Sequence, residues 1–271
     1  MRFLTLPLQS FFRLYKTMYP TVTIANQDIT VKGCSSTDEF NQVMAFQPFK
    51  DWLQAFEEQQ KQRNDEFDIN SIDIQNIDYF GSKKVGFVKL KADVSFKNTG
   101  KNAPGIVFMR GGAVSMLIIL KAQGQKDKIL LTLQPRIPVP HLSFPELPAG
   151  MLDGSGNFAG TAAKEIKEET GLEIKEDELV DMTDMAYGDK WRGVYPSAGG
   201  SDEFLRLFVC IKHLEKSQID DLEGKLTGLR DQGESITLKL ISMEDAWKVS
   251  PDAKLLSSLA LYEALKSKII T

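Results

Sequence analysis

"AAKEIKEETGLEI", residues 162–174, sets Glu165, Glu168 and Glu169 on one short helix just before a glycine. At about 100° per residue the three carboxylates fall within an arc of about 100°. Ala159, Ala162, Ala163 and Ile166 follow the i, i+3, i+4, i+7 spacing of a buried stripe. Small residues therefore anchor the helix while another face carries acid. Thr170-Gly171 supplies a stop, since glycine suits the left-handed cap. Like charges at these spacings repel, and carboxylates near a helix C-terminus also oppose its dipole. A solvated charged face is the bland account of such a run; the alternative is compensation from outside the helix.

The rest of the chain bounds what kind of protein carries that helix. Its 271 residues, 42% hydrophobic and 26% charged, suit one large globular domain or a domain plus an extension. A net charge of -4 gives no basic field for nucleic-acid phosphates, so nucleic acid is not the expected partner. Cys34 and Cys210 form no CxxC pair and read as small buried thiols in a reducing compartment, not a zinc site or disulfide. The longest apolar run, "VSMLIIL" at 114–120, is a buried strand, because a membrane span takes about twenty residues. Residues 1–35 form an N-terminal arm with Arg2, Arg13 and Lys16 and no acid before Asp28. That balance resembles a mitochondrial transit peptide, although Pro7 interrupts the helix; a basic, loosely packed arm on a cytoplasmic protein is the other reading.

Residues 36–100 read as a helical and β subdomain. "STDEFNQVMAFQPFKDWLQAFEEQQKQR" starts at a cap-like Ser36 or Thr37, and Pro48 splits it into two helices. Phe46, Phe49, Trp52, Leu53 and Phe56 recur at helical spacing, as a docking stripe does. Strands follow in "SIDIQNIDYFG", "KVGFVKLKADVSF", "GIVFMRGGAVSMLIIL" and "KILLTLQPRIP". A helix over about 158–170, the strands "LFVCIKHL" and "ESITLKLIS", a short helix at 243–248 and a last one over 251–267 complete the chain. Strands with helices inserted and appended predict an α+β fold with a mixed or antiparallel sheet. Without regular β-α-β alternation, G-x-G-x-x-G or a P-loop, a dinucleotide fold is not expected.

The span from Gly150 to Leu172 resembles the Nudix box, G-x5-E-x7-R-E-U-x-E-E-x-G-U with U aliphatic. Gly150, Glu165, Ile166, Glu168, Glu169, Gly171 and Leu172 stand at matching places with unbroken spacing. The resemblance implies a Nudix fold over 101–271, a mixed sheet sandwiched between helices, with the N-terminal helices and strands as an extension. It also implies that Glu165, Glu168 and Glu169 bind divalent metal, which would let the carboxylates tolerate one another. Two positions depart. Gly156 replaces the first glutamate of the pattern and Lys164 replaces its arginine, two residues that in the family pair to orient the helix. Lys164 is expected to meet Asp153 or Glu146 instead.

Three further segments resemble the ADP-ribose and ADP-sugar diphosphatase branch, with plant-type enzymes the nearest likeness. "LTLQPRIPVP" matches its Gln-x-Arg strand end, making Arg136 a candidate for the substrate phosphates. "YPSAGGSDE" matches its Ser-Pro-Gly-Gly-x-x-Glu loop, with Ala198 for proline and Glu203 at the acid. "LRDQGESITLKLISMEDAW" matches the loop that carries a metal-binding or catalytic acid, here Glu234, with Asp231 a second choice. The implied reaction hydrolyses a nucleotide sugar to AMP and a sugar phosphate. Glu165, Glu168, Glu169, Glu234 and the Ala149 carbonyl would hold Mg²⁺, or Mn²⁺, since oxygen ligands select hard cations. Glu234 is expected as the base, with Glu168 behind it. Phe80, Trp191 and Tyr195 could stack on a nucleobase, but core packing is their more ordinary job. The first strands are expected to exchange between subunits of a homodimer. Two other readings stay open: action on another nucleoside diphosphate derivative (NADH, a dinucleoside polyphosphate, coenzyme A), or a retired nucleotide-binding sensor.

Overall fold

Two sheets divide the chain, and their strands carry different burial patterns. The computed structural model describes residues 19–62, 66–81, 83–152, 156–229 and 235–269. The first sheet has the order β1-β2-β3-β4-β5. It is built from β1 (Thr21–Ile24), β2 (Gln27–Lys32), β3 (Phe67–Phe80), β4 (Lys84–Phe96) and β5 (Ile106–Met109), with α1 (Thr37–Ala45) and α2 (Gln47–Gln62) between β2 and β3. Ala25 and Asn26 join β1 to β2 in the left-handed region, at φ +48° and +64°, which a two-residue hairpin loop requires. Ser36 caps α1, and Pro48 sits in the first turn of α2, where a missing N–H costs nothing. The strands alternate buried and exposed residues, and their inner face packs on the helices. Phe49 is fully buried among Val43, Ile72, Ile74, Val88 and Leu90, with Trp52, Leu53 and Phe56 packed beside it. The expected aromatic stripe is thus a docking face. This sheet begins within the N-terminal arm and ends past residue 100, taking in strands on both sides of the boundaries read at 35 and 100.

The second sheet supports the acidic helix. It contains β6 (Ala113–Lys121), β7 (Lys128–Arg136), β8 (His141–Glu146), β9 (Ala149–Met151), β10 (Val180–Asp181), β11 (Leu205–His213), β12 (Leu226–Thr227) and β13 (Ile236–Ser242). Around it lie α3 (Phe158–Thr170), α4 (Met182–Tyr187), α5 (Lys216–Asp220), α6 (Ala246–Val249) and α7 (Ala253–Ile269). The main order is β10-β11-β6-β7-β13-β12, with β8 paired to β7 and β9 to β6. The β6–β11 pair is parallel and the others antiparallel, so the sheet is mixed. Every residue of β6 from Ala113 to Leu120 is buried, as a strand covered on both faces must be. Ala113, Leu117 and Ile119 pack in one core with Met182 of α4 and Leu255 and Tyr262 of α7. Val114, Met116, Ile118 and Leu120 pack in the other with Ala162 and Ile166 of α3. This is the expected α+β arrangement, a mixed sheet between helices. Among the described residues no helix is long and apolar enough to cross a membrane.

The two sheets meet through backbone and charge. Phe108 N–H donates to the Gly200 carbonyl at 2.8 Å, and Arg110 N–H to Asp202 Oδ1 at 2.8 Å. Arg192 reaches Asp51 of α2 at 2.9 Å.

Candidate active site

The acidic helix α3 is fixed at both ends and along its side. Asn157 caps it by accepting from the Gly160 N–H at 2.9 Å, and Gly171 ends it at φ +73° with its N–H on the Lys167 carbonyl at 3.0 Å. Thr227 of β12 donates its hydroxyl to the Glu169 carbonyl, one of the orphan acceptors of a helix C-terminus.

Its three acids stand in three environments. Glu169 is 6% exposed and does not lie on a solvated face, because it follows Ala162 and Ile166 at i+7 and i+3 and so joins their buried stripe. Its Oε2 accepts from the Ala149 N–H at 3.0 Å and its Oε1 from Gln134 Nε2 at 3.1 Å. Burial pushes this carboxyl up to about 8, against the pull of those two hydrogen bonds, and the Glu165 and Glu146 charges add to the rise. Glu165 lies against the Cα of Gly150; a Cβ there would sit 2.0 Å from the Glu165 Cδ. Only glycine admits that approach. Glu168 is half-buried, with Lys164 Nζ at 3.8 Å. Lys164 therefore turns to its own helix and not to Glu146, whose oxygens are taken by others; Asp153 lies outside the described residues.

Arg136 and Gln134 stand together at the end of β7, with a register shift in the β7–β8 pairing between them. Arg136 Nε and one terminal nitrogen both lie 2.6 Å from Glu146 Oε1. Lys254 of α7 donates to Glu146 Oε2 at 2.8 Å and to Asp252 Oδ1 at 3.0 Å. Gln134, Arg136, Glu146, Ala149, Gly150, Glu165 and Glu169 are thus linked through β7, β8, β9 and α3. Glu203 is engaged elsewhere: its carboxylate lies 3.3 Å from Arg110 at the junction of the sheets, and its N–H donates to Ser201 Oγ. Asp231 and Glu234 lie outside the described residues. Phe80, Trp191 and Tyr195, for which core packing was the expected job, are instead exposed, with Phe80 edge-on to Phe87 and Trp191 edge-on to Tyr195.

Sequence reading did not single out Gln134, Glu146, Asp252, Lys254 or Thr227 as site residues. Gln134 stood two residues before Arg136 in the segment "LTLQPRIPVP", and Glu146 was expected only as a partner for Lys164. Lys254 gave no local signal, since its partner Glu146 is 108 residues away.

Among the described residues no three His, Cys, Asp or Glu side chains form a ready-made metal cage. The donor chemistry nevertheless fits a hard divalent cation: oxygen atoms only, on one helical turn facing Gly150 and Ala149. The buried Glu169 carboxyl fits as well, because a neighbouring cation restores the charged form that burial disfavours.

The model of the NUDIX domain matches residues 109–259. Nudix hydrolase 14, chloroplastic, from Arabidopsis thaliana is 42% identical over 235 residues, covering 85% of this chain and 74% of that protein. A methanol dehydrogenase activator from Bacillus methanolicus is 28% identical over 190 residues, covering 67% of this chain and 89% of its own. Among solved structures, the crystal structure of an ADP compounds hydrolase aligns with a TM-score of 0.48 at 17% identity, over 74% of this chain and 97% of that one.

Proposed function

The chain belongs to the Nudix hydrolase family, and we propose that it hydrolyses the diphosphate bond of ADP-sugars such as ADP-ribose or ADP-glucose, releasing AMP and a sugar phosphate. The observation that carries this reading is the placement of a half-exposed arginine beside an acid helix. Arg136 stands two residues from Gln134, and Gln134 holds the buried Glu169. A half-exposed guanidinium beside a carboxylate helix suits a diphosphate, which needs a fork for its oxygens and cations for its charge.

Glu165, Glu168 and Glu169, with the Ala149 carbonyl and Glu234, would hold Mg²⁺, or Mn²⁺. When bound, these ions would offset the diphosphate charge and lower the pKa of a bound water. The remaining work falls to the chain. Arg136 binds and orients the diphosphate; Glu234 takes the proton of the attacking water, with Glu168 and Asp231 as further candidates for that role. Glu203 lies near Arg110, at the junction of the sheets, where it would meet the sugar or nucleoside end of the substrate.

Incubation with Mg²⁺ and a panel of ADP-sugars, followed by chromatography of the products, tests this reading. AMP from at least one ADP-sugar is expected. No AMP from any of them, with turnover of NADH, a dinucleoside polyphosphate or coenzyme A, would move the substrate elsewhere in the family. Tight binding without any turnover would make the chain a sensor.

The assembly proposed is a homodimer. Ile137, Val139 and Leu142 stand highly exposed on the β7–β8 hairpin, an apolar tip next to Arg136 that a second subunit would cover. Light scattering on the eluting protein would give twice the chain mass. The basic arm supports organelle import, with the mitochondrion as the destination its composition suggests and the cytoplasm as the result if a fluorescent fusion is not imported. Cleavage of such a leader before Thr21 would leave the β1–β2 pairing whole.

A further inference from the structure

We propose that Lys254 is a positioning residue for Arg136: by satisfying one oxygen of Glu146 from the first turn of α7, it leaves the guanidinium of Arg136 aimed outward with its charge available to an anionic substrate. The inference rests on the reading of Arg136 as the diphosphate-binding residue.

The geometry divides Glu146 between two cations. Oε1 takes Arg136 through two contacts at 2.6 Å, and Oε2 takes Lys254 at 2.8 Å. Glu146 and Lys254 are nearly closed off from solvent, at 3% and 16% side-chain exposure, whereas Arg136 is 41% exposed. The open end of the cluster is therefore the arginine. Two of its five N–H groups go to Glu146, and a guanidinium keeps three for another anion. Asp252 holds Lys254 from the other side at 3.0 Å, which makes the cluster two cations and two anions. Burial opposes the Lys254 charge, but Glu146 and Asp252 outweigh it and hold the ammonium above its ordinary value.

The corner before α7 is tied to the site at further points. Ser250 donates its hydroxyl to the Pro145 carbonyl, and Asp252 accepts from the Leu147 N–H at 3.4 Å. Two residues beyond Leu147, Ala149 donates to Glu169. Residues 145–149 are thus held by the C-terminal corner on one side and the acid helix on the other. A buried ion cluster adds little net stability over apolar residues of equal volume. Its value here is directional. Without Lys254, Glu146 would draw the guanidinium inward as its sole counter-ion, and less of that charge would be left for phosphate.

The test is a mutant cycle read with ADP-ribose and Mg²⁺, beside calorimetric binding of its α,β-methylene analogue and thermal melting. Lys254→Met is expected to raise KM and the analogue's Kd about tenfold, with a smaller change in kcat, since misaimed binding groups act on association. Lys254→Arg should recover most of the loss. In an Arg136→Ala background, Lys254→Met should add nothing, because the two act through one contact. Should Lys254→Met fail to fold, Lys254→Gln carries the same expectation, keeping a hydrogen bond but not the charge. Unchanged KM and Kd in the Lys254 variants beside an impaired Arg136→Ala, or fully additive losses, would overturn the inference alone. Normal KM and Kd in Arg136→Ala would sink the reading of Arg136 itself, and this inference with it.

Discussion

Single side chains in this site are distinguished by surroundings more than by type. Glu165, Glu168 and Glu169 are chemically alike, yet only Glu169 is buried, tied to Ala149 and Gln134 and pushed up to about 8 by desolvation. Glu169→Gln keeps the volume and removes the charge, so we expect turnover to fall about a hundredfold or more while melting temperature holds. Near-normal activity in that variant would remove Glu169 from the metal set. Gly150 is the complementary case. Its added Cβ would meet the flexible end of Glu165 at 2.0 Å, so Gly150→Ala should leave the fold standing but swing the carboxylate aside. A loss of about tenfold in kcat/KM with a normal melting curve is expected; unchanged kinetics would show that Glu165 has no set position to lose.

At the level of elements, α3 was legible because its signals are local. Its small-residue stripe and its glycine stop lie within the segment itself or beside it, and the helix runs over Phe158–Thr170 as the spacing predicts. The burial of Glu169 was not legible, because it depends on β7 and β9 arriving from other parts of the chain. The β1–β2 hairpin escaped for a different reason: four- and six-residue strands within a basic arm leave too little alternation to register. α6 and α7 start two or three residues later than expected, which is the usual uncertainty of helix ends. The loop before α3 supports a prediction of its own. Gly156 has φ +78° with open space where a Cβ would go. Gly156→Glu should therefore cost about 1 kcal/mol through left-handed strain and nothing through collision. Adding Lys164→Arg should return part of that stability and preserve or raise activity, if the new carboxylate and guanidinium pair. A double variant no more stable than Gly156→Glu, measured by denaturant unfolding, would show that the loop does not bring them together.

At the scale of the whole molecule, Asp202 joins the two sheets. It accepts from Arg110 N–H at 2.8 Å and from Gly111 N–H at 3.1 Å, just past β5, while Glu203 beside it faces Arg110. Gly111 can stand there only as glycine, since it has φ +81° and a Cβ would meet Pro48 of α2 at 2.7 Å. The junction thus brings α2, the end of β5 and the loop before β11 to one place. Asp202→Ala strips two backbone donors of their acceptor and should cost about 2 kcal/mol. The charge itself acts in the opposite direction. Burial holds the Asp202 carboxyl above its ordinary value, and the two N–H groups only partly offset that. Between the unfolded and folded values the native state keeps a proton that the unfolded chain has released, so this residue's contribution to stability falls as pH rises through that window. Asp202→Asn has no such proton. Relative to that variant, the wild type should therefore be more stable at about pH 3 than at about pH 6, where both the folded and unfolded carboxyls have titrated further toward the charged form. Denaturant unfolding of both proteins across this range reads the difference directly, and two parallel profiles would mean that the junction does not desolvate this carboxylate.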